Sequence, residues 1–164
     1  MSESMIQLVP YQAKDLDEVL ALSVAAWTPV LPKMEREIPD YVYASFYPEG
    51  WTVRQLADIT EVCNDDQSSV WLALIDQQMT GYMALRVHEE DAMGELYVIA
   101  VHPAYQRRGV GAALMSFAFD QFRQLGLAMV MVETGGDDGH APARAAYEKV
   151  GFERYPVARY FKKL

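Results

Sequence analysis

The residues most able to do chemistry lie together near the middle of the chain, in Gln106-Arg107-Arg108-Gly109-Val110-Gly111-Ala112. Two glycines let backbone approach a ligand without side-chain clash, and two arginines add mobile positive charge. An apolar run, Glu95 to Val101, precedes this stretch, and a helical pattern from about Gly109 to Leu125 follows it. The order places backbone N–H groups at a helix N-terminus, where the helix dipole favours an anion. Taken alone, the stretch specifies a phosphate-class anion and no more. A dinucleotide fingerprint would need a third glycine where Leu114 stands, and the Gly-Lys-Ser/Thr of a P-loop is absent.

Three further groups could move protons. Glu95 opens the apolar run, and strand alternation sends its side chain to one face with Tyr97 and Ile99. Glu133 closes the next apolar run. Tyr147 lies in a helical pattern just before Gly151-Phe152. His102 precedes Pro103 and reads as a loop residue. Cys63, the single cysteine, can form no internal disulfide and reads as a buried structural thiol. No Cys/His cluster offers a metal site.

The elements that must position these groups follow from periodicity. Residues 5–9 read as a strand and 15–27 as an amphipathic helix ended by Pro29 and Pro32, which open a loop. A short aromatic helix covers 39–47, and Thr52 is placed as the cap of a helix over 53–63. A hairpin joins 70–75 to 80–88. The runs 95–101 and 128–133 read as buried strands. Helices cover 109–125 and 141–150, and 152–155 and 157–161 read as two last strands. Residues 135–139 form an acidic loop in which Asp137 and Asp138 are read as solvated. This order is a mixed α/β sheet with helices on both faces, in one domain spanning 1–164.

Composition narrows the function classes. A formal charge of −9 over 164 residues provides no basic footprint for nucleic acid. No apolar stretch is long enough to span a bilayer, and Met1-Ser2-Glu3-Ser4 lacks the basic start of a signal peptide. The expectation is a cytoplasmic protein.

Glu95-Leu-Tyr-Val-Ile-Ala-Val101-His-Pro-Ala-Tyr-Gln-Arg-Arg-Gly-Val-Gly-Ala112 resembles the central motif of the GNAT acetyltransferase superfamily, Arg/Gln-x-x-Gly-x-Gly/Ala after an apolar strand. Ala143-Arg-Ala-Ala-Tyr147-Glu-Lys-Val-Gly151-Phe152 resembles that family's Tyr-Glu-Lys-x-Gly-Phe helix and turn. The two motifs cover about the C-terminal half; the N-terminal half agrees only in its order of elements.

The resemblance implies a mixed, mostly antiparallel sheet of six to seven strands with a splayed central pair. It implies acetyl-CoA as cosubstrate, no metal, and transfer of acetyl to a primary amine by direct attack in a ternary complex. The amides of Gln106, Arg107, Arg108, Gly109, Val110, Gly111 and Ala112 would hold the pyrophosphate. The edge of Ile99, Ala100 and Val101 would pair with the pantetheine arm, with an N–H near Val101 polarising the acetyl carbonyl. Tyr147 would act as general acid or hydrogen-bond the departing thiolate, and Glu95 matches the base glutamate of the histone-type branch. His140 stands where many members carry an Asn that contacts the pantetheine arm. The stretch from Trp27 to Trp51, rich in aromatics and carboxylates, would select the acceptor. The acceptor is a small-molecule or peptide amine, and a homodimer is a candidate assembly. A non-catalytic acyl-CoA-binding or protein-interaction module on the same fold is the competing reading.

Overall fold

The computed structural model describes residues 5–164, so the reading of Met1 to Ser4 lies outside the described residues. Strand β1 (Gln7–Pro10) leads into four helices, α1 (Leu16–Trp27), α2 (Leu31–Glu35), α3 (Asp40–Phe46) and α4 (Trp51–Asn64). Strands β2 (Ser69–Ile75), β3 (Gln78–His88) and β4 (Met93–Val101) follow, then α5 (Val110–Gln124), β5 (Met129–Val132) and α6 (Ala141–Lys149). The sheet order is β1-β2-β3-β4-β5. The first four strands pair antiparallel, and β5 runs parallel to β4. That parallel step requires the crossover that α5 supplies.

Each face of the sheet carries its own core. On one, Val19 and Leu22 of α1 and Ile59 and Val62 of α4 cover Leu72, Tyr82, Ala84 and Ala100. On the other, Val110, Leu114, Met115, Ala118 and Phe122 of α5 cover Ala73, Met83, Leu85 and Leu96. The helix sits very close to β4: a Cβ at Gly94 would come within 2.5 Å of the Phe122 ring. A polar pair deep in the first core is satisfied, Ser23 Oγ lying 2.6 Å from Tyr82 Oη.

Several sequence expectations change. The sheet has five strands, because the last two predicted strands do not form: residues 152–161 are in no strand, and Tyr155, Val157 and Tyr160 are exposed. An alternating pattern becomes a strand only when a neighbour accepts its ladder, and Pro156 between the two halves lacks a donor. The loop expected after Pro29 contains α2, where Pro32 occupies a first-turn position that costs no hydrogen bond. Helix α4 begins at Trp51 with Gly50, not Thr52, at its N-cap.

Candidate active site

The central pair of strands splays. Strands β4 and β5 are paired only from Met93↔Met129 to Leu96↔Val132, so the rest of β4 has a free edge facing the gap. A bulge sits at the same level. Ala84 lies opposite Val98 and Leu85 opposite Leu96, which leaves Tyr97 as the extra residue. Beyond it, His102 donates its N–H to Thr80 O on β3 at 2.9 Å. Alternation then points the N–H groups of Val101 and Ile99 away from β3, into the gap.

The bulge also redistributes side chains. Leu96 is buried under α5, as are parts of Ile99 and Val101, whereas Val98 and Ala100 pack on the α1/α4 side. Gly94 faces Phe122 of α5, so Glu95 faces the opposite layer. The expectation that Glu95, Tyr97 and Ile99 share a face is therefore corrected: Ile99 lies on the α5 side, because the extra residue shifts the alternation by one. Tyr97 lies beneath Arg86, whose guanidinium carbon is 3.4 Å from the ring centroid. Arg86 in turn bonds Asp65 at 3.0 Å, which anchors this end of the sheet.

At the other end of β4 the chain enters the loop before α5. His102 Nδ1 accepts from Ala104 N–H at 3.1 Å, so it caps a short turn, as its loop reading requires. Gln106 donates from Nε2 to Val101 O at 3.3 Å and ties loop to strand. Arg107 has φ +59 and Gly109 φ +84, two left-handed positions that turn the loop abruptly into the helix. No side chain caps α5, and helix geometry leaves its first N–H groups without internal partners. Gly111, in the first turn, packs against β4 with room to spare: a Cβ there would meet Val101 Cγ2 at an ordinary 3.7 Å. Arg107 and Arg108 are exposed, the latter stacked at 5.1 Å on the Tyr105 ring. Uncapped amides and two exposed guanidinium groups suit a diphosphate, and the adjoining free strand edge suits an amide-bearing chain.

Tyr147 projects from α6 into the α5-side core beside Phe152, with ring centroids 5.9 Å apart. Burial pushes its phenol up to about 12, so it is a hydrogen-bond donor throughout the neutral range. His140 is committed elsewhere: its Nδ1 lies 2.7 Å from Asp137 Oδ1. Asp137 thus caps the turn before α6, only its neighbour Asp138 being exposed. Arg144 closes the same loop on the carbonyls of Gly135 and Asp137, at 2.6 and 2.7 Å. This loop meets the segment from Trp27 to Trp51 through Glu37, whose carboxylate accepts from Asp138 N–H at 2.9 Å.

Other candidates take structural places. Glu133 is exposed and lies 3.7 Å from Arg159 of the tail. In the aromatic segment, Arg54 occupies the faces of Phe46 and Tyr47 at 5.3 and 5.8 Å, so these rings already hold an internal cation. Cys63 is half-buried, and burial pushes its thiol up, away from nucleophilic chemistry. Among the described residues no group of three His, Cys, Asp or Glu side chains is disposed to hold a metal ion, and no helix is long and apolar enough to cross a membrane. Sequence reasoning missed His88, which lies 2.6 Å from Glu95. The only signal for it was its place at the end of a predicted strand, and its partner on β4 is set by register.

Comparison with known proteins agrees with this architecture. Residues 37–152 match the family model described as acetyltransferase (GNAT) family. A mycothiol acetyltransferase of Rhodococcus jostii (strain RHA1) is 33% identical over 120 residues, covering 68% of this chain and 39% of the relative. The chain thus spans about two fifths of the length of the curated relatives it matches first. The fold resembles the ribosomal-protein-S18-alanine N-acetyltransferase of Escherichia coli (TM-score 0.67, 20% identity, 93% of this chain and 80% of that one). It also resembles the PaiA N-acetyltransferase of Thermoplasma acidophilum in complex with coenzyme A (TM-score 0.68, 15% identity, 94% and 93%). With the splayed strands, the uncapped helix and a model match across most of the domain, the chain belongs to the acetyltransferase (GNAT) family.

Proposed function

We propose that this protein transfers an acetyl group from acetyl-CoA to a primary amine by direct attack in a ternary complex. The observation that carries the reading is the free edge of β4 running straight into the uncapped N-terminus of α5. The amides of residues 107–112, with Arg107 and Arg108, would hold the pyrophosphate; the expected Gln106 amide is given instead to Pro103 O at 3.4 Å. The edge of Ile99, Ala100 and Val101 would receive the pantetheine arm as an added strand. His140, bonded to Asp137, would bound that arm's path only indirectly.

Geometry sharpens the division of labour. A strand rises about 3.3 Å per residue, so Val101 lies about 20 Å along β4 from Glu95 and Ile99 about 13 Å. The Ile99 amide is therefore the better partner for a carbonyl whose attacking amine is relayed to Glu95, with Val101 holding the arm beyond it. Glu95 opens on the α1/α4 side of the sheet and the phosphate loop on the α5 side, so donor and acceptor would enter the gap from opposite faces. Glu95, through a water, would take the amine's proton. Tyr147 would donate a hydrogen bond to the departing sulfur. A thiolate whose conjugate acid titrates near 8.5 does not strip a proton from a phenol at about 12, so the proton that finally reaches the thiol comes from solvent.

The acceptor class is a small-molecule or peptide amine, and both kinds occur among the names of similar proteins. A homodimer belongs to the same proposal. The outer edge of β5 is unpaired, and the tail presents Tyr155, Val157 and Tyr160 at 82%, 78% and 90% exposure, an arrangement that invites a second copy. The deciding experiment is thiol release from acetyl-CoA across a panel of polyamines, aminoglycosides, amino-sugar thiols and peptides. Release with at least one amine is expected. Coenzyme A binding with no release from any amine would favour a binding module instead.

A further inference from the structure

Glu95 has a partner that none of the motifs mark. His88 ends β3, two residue pairs away from Glu95 along the antiparallel ladder: Arg86 lies opposite Glu95 and His88 opposite Met93. Diagonal neighbours on one sheet face are within reach of each other, and here His88 Nε2 lies 2.6 Å from Glu95 Oε2. The carboxylate is the more hidden partner, its side chain 13% exposed against 33% for the ring. The other ring nitrogen, Nδ1, stands 3.8 Å from the largely exposed Glu90. Arg86, the cation nearest on the same strand, is turned to Asp65 and Ser68, so the charged groups facing His88 are Glu95, Glu90 and Asp91.

A neutral imidazole with its proton on Nε2 donates to Oε2, fixes the carboxylate rotamer and leaves Oε1 able to accept. A cationic imidazole forms an ion pair that stabilises the carboxylate and so weakens it as a base. From this geometry we infer that His88 is a positioning residue that sets both the orientation and the basicity of Glu95. The inference rests on the proposed role of Glu95 as the base in acetyl transfer. The hydrogen bond the ring donates to Glu95, with Glu90 and Asp91 adding charge, holds the His88 imidazole above its usual range. The switch between the two states therefore falls above the ordinary histidine value of about 6.5. The active form is the one with neutral His88, so the rate rises as pH climbs through that value.

The test compares the wild type with His88→Gln, His88→Ala and Glu95→Gln, using the amine that the thiol-release panel selects. His88→Gln keeps a donor but cannot titrate. It is expected to hold kcat within about twofold of the wild type at high pH and to lack the acid limb that belongs to the ring. His88→Ala, losing the donor, is expected to lower kcat about tenfold with an unchanged KM for acetyl-CoA. An NMR titration of the His88 ring, independent of turnover, should show its value fall toward 6.5 in Glu95→Gln. If the wild type turns over and Glu95→Gln is impaired while both His88 variants keep the wild-type pH profile, the inference is overturned and the acetyl-transfer reading stands. If Glu95→Gln loses nothing, the base assignment falls and takes this inference with it. If the wild type acetylates no amine, the transfer reading itself falls.

Discussion

At the scale of single residues, the proposed mechanism separates groups that must change protonation from groups that must not. Tyr147 is of the second kind: burial holds it as a neutral phenol with a value of about 12. Tyr147→Phe is expected to lower kcat about 10²-fold while leaving the KM for acetyl-CoA unchanged, measured by steady-state thiol release. Because the folded phenol titrates above its ordinary value, the kcat profile should show no alkaline limb near pH 10, where an unperturbed tyrosine ionises. Such a limb, present in the wild type and absent in Tyr147→Phe, would contradict the burial argument. In the proposed site Arg107 and Arg108 would act by charge at an exposed loop, where each contributes modestly. Replacing both by Ala should raise the KM for acetyl-CoA about tenfold, with a weaker dependence on salt than the wild type.

At the scale of elements, two glycines do different work. Gly109 sits at φ +84 where the loop turns into α5. Gly109→Val should misplace the amides of Val110 to Ala112, so coenzyme A affinity by titration calorimetry should fall more than thermal stability does. Gly94 lets α5 lie against β4. Gly94→Ala brings a methyl group within 2.5 Å of Phe122 and should cost about 1–3 kcal/mol of stability, read as a lower Tm. A variant that melts like the wild type would show that Phe122 can move aside. The bulge at Tyr97 is the third such device. It coincides with the end of β4–β5 pairing and turns Ile99 onto the face opposite Glu95, which in the proposed mechanism gives one strand a donor-side and an acceptor-side half.

At the scale of the molecule, a chain of net charge −9 keeps two exposed arginines at the mouth of its proposed anion site. The general field disfavours anions at a distance, while the local guanidinium groups and helix dipole favour one that has arrived. The open β5 edge and the exposed tail make association the expected state of the whole. Sedimentation should show a concentration-dependent dimer, and Val157→Asp should shift it toward monomer without loss of helical signal. A wild type that stays monomeric at every accessible concentration would remove the homodimer from the proposal.

The sequence by itself determined most of the order of elements and marked the candidate anion loop and Tyr147, because each is a local matter. A glycine pattern after an apolar run, or a tyrosine four residues before a helix-ending Gly-Phe, is encoded within one segment. It over-counted strands at 152–161, where alternation was present but a pairing partner was not, and it mis-set the Ile99 face because a bulge is a property of two strands in register. Tertiary structure alone decided where β4 parts from β5, which amides face the gap, that His140 belongs to Asp137 and that Arg54 fills the aromatic faces. It also alone decided that His88, seven residues from Glu95 in sequence, sits 2.6 Å from it across the ladder. Such contacts depend on register and on which groups fold over which, and a one-residue shift in pairing would undo them.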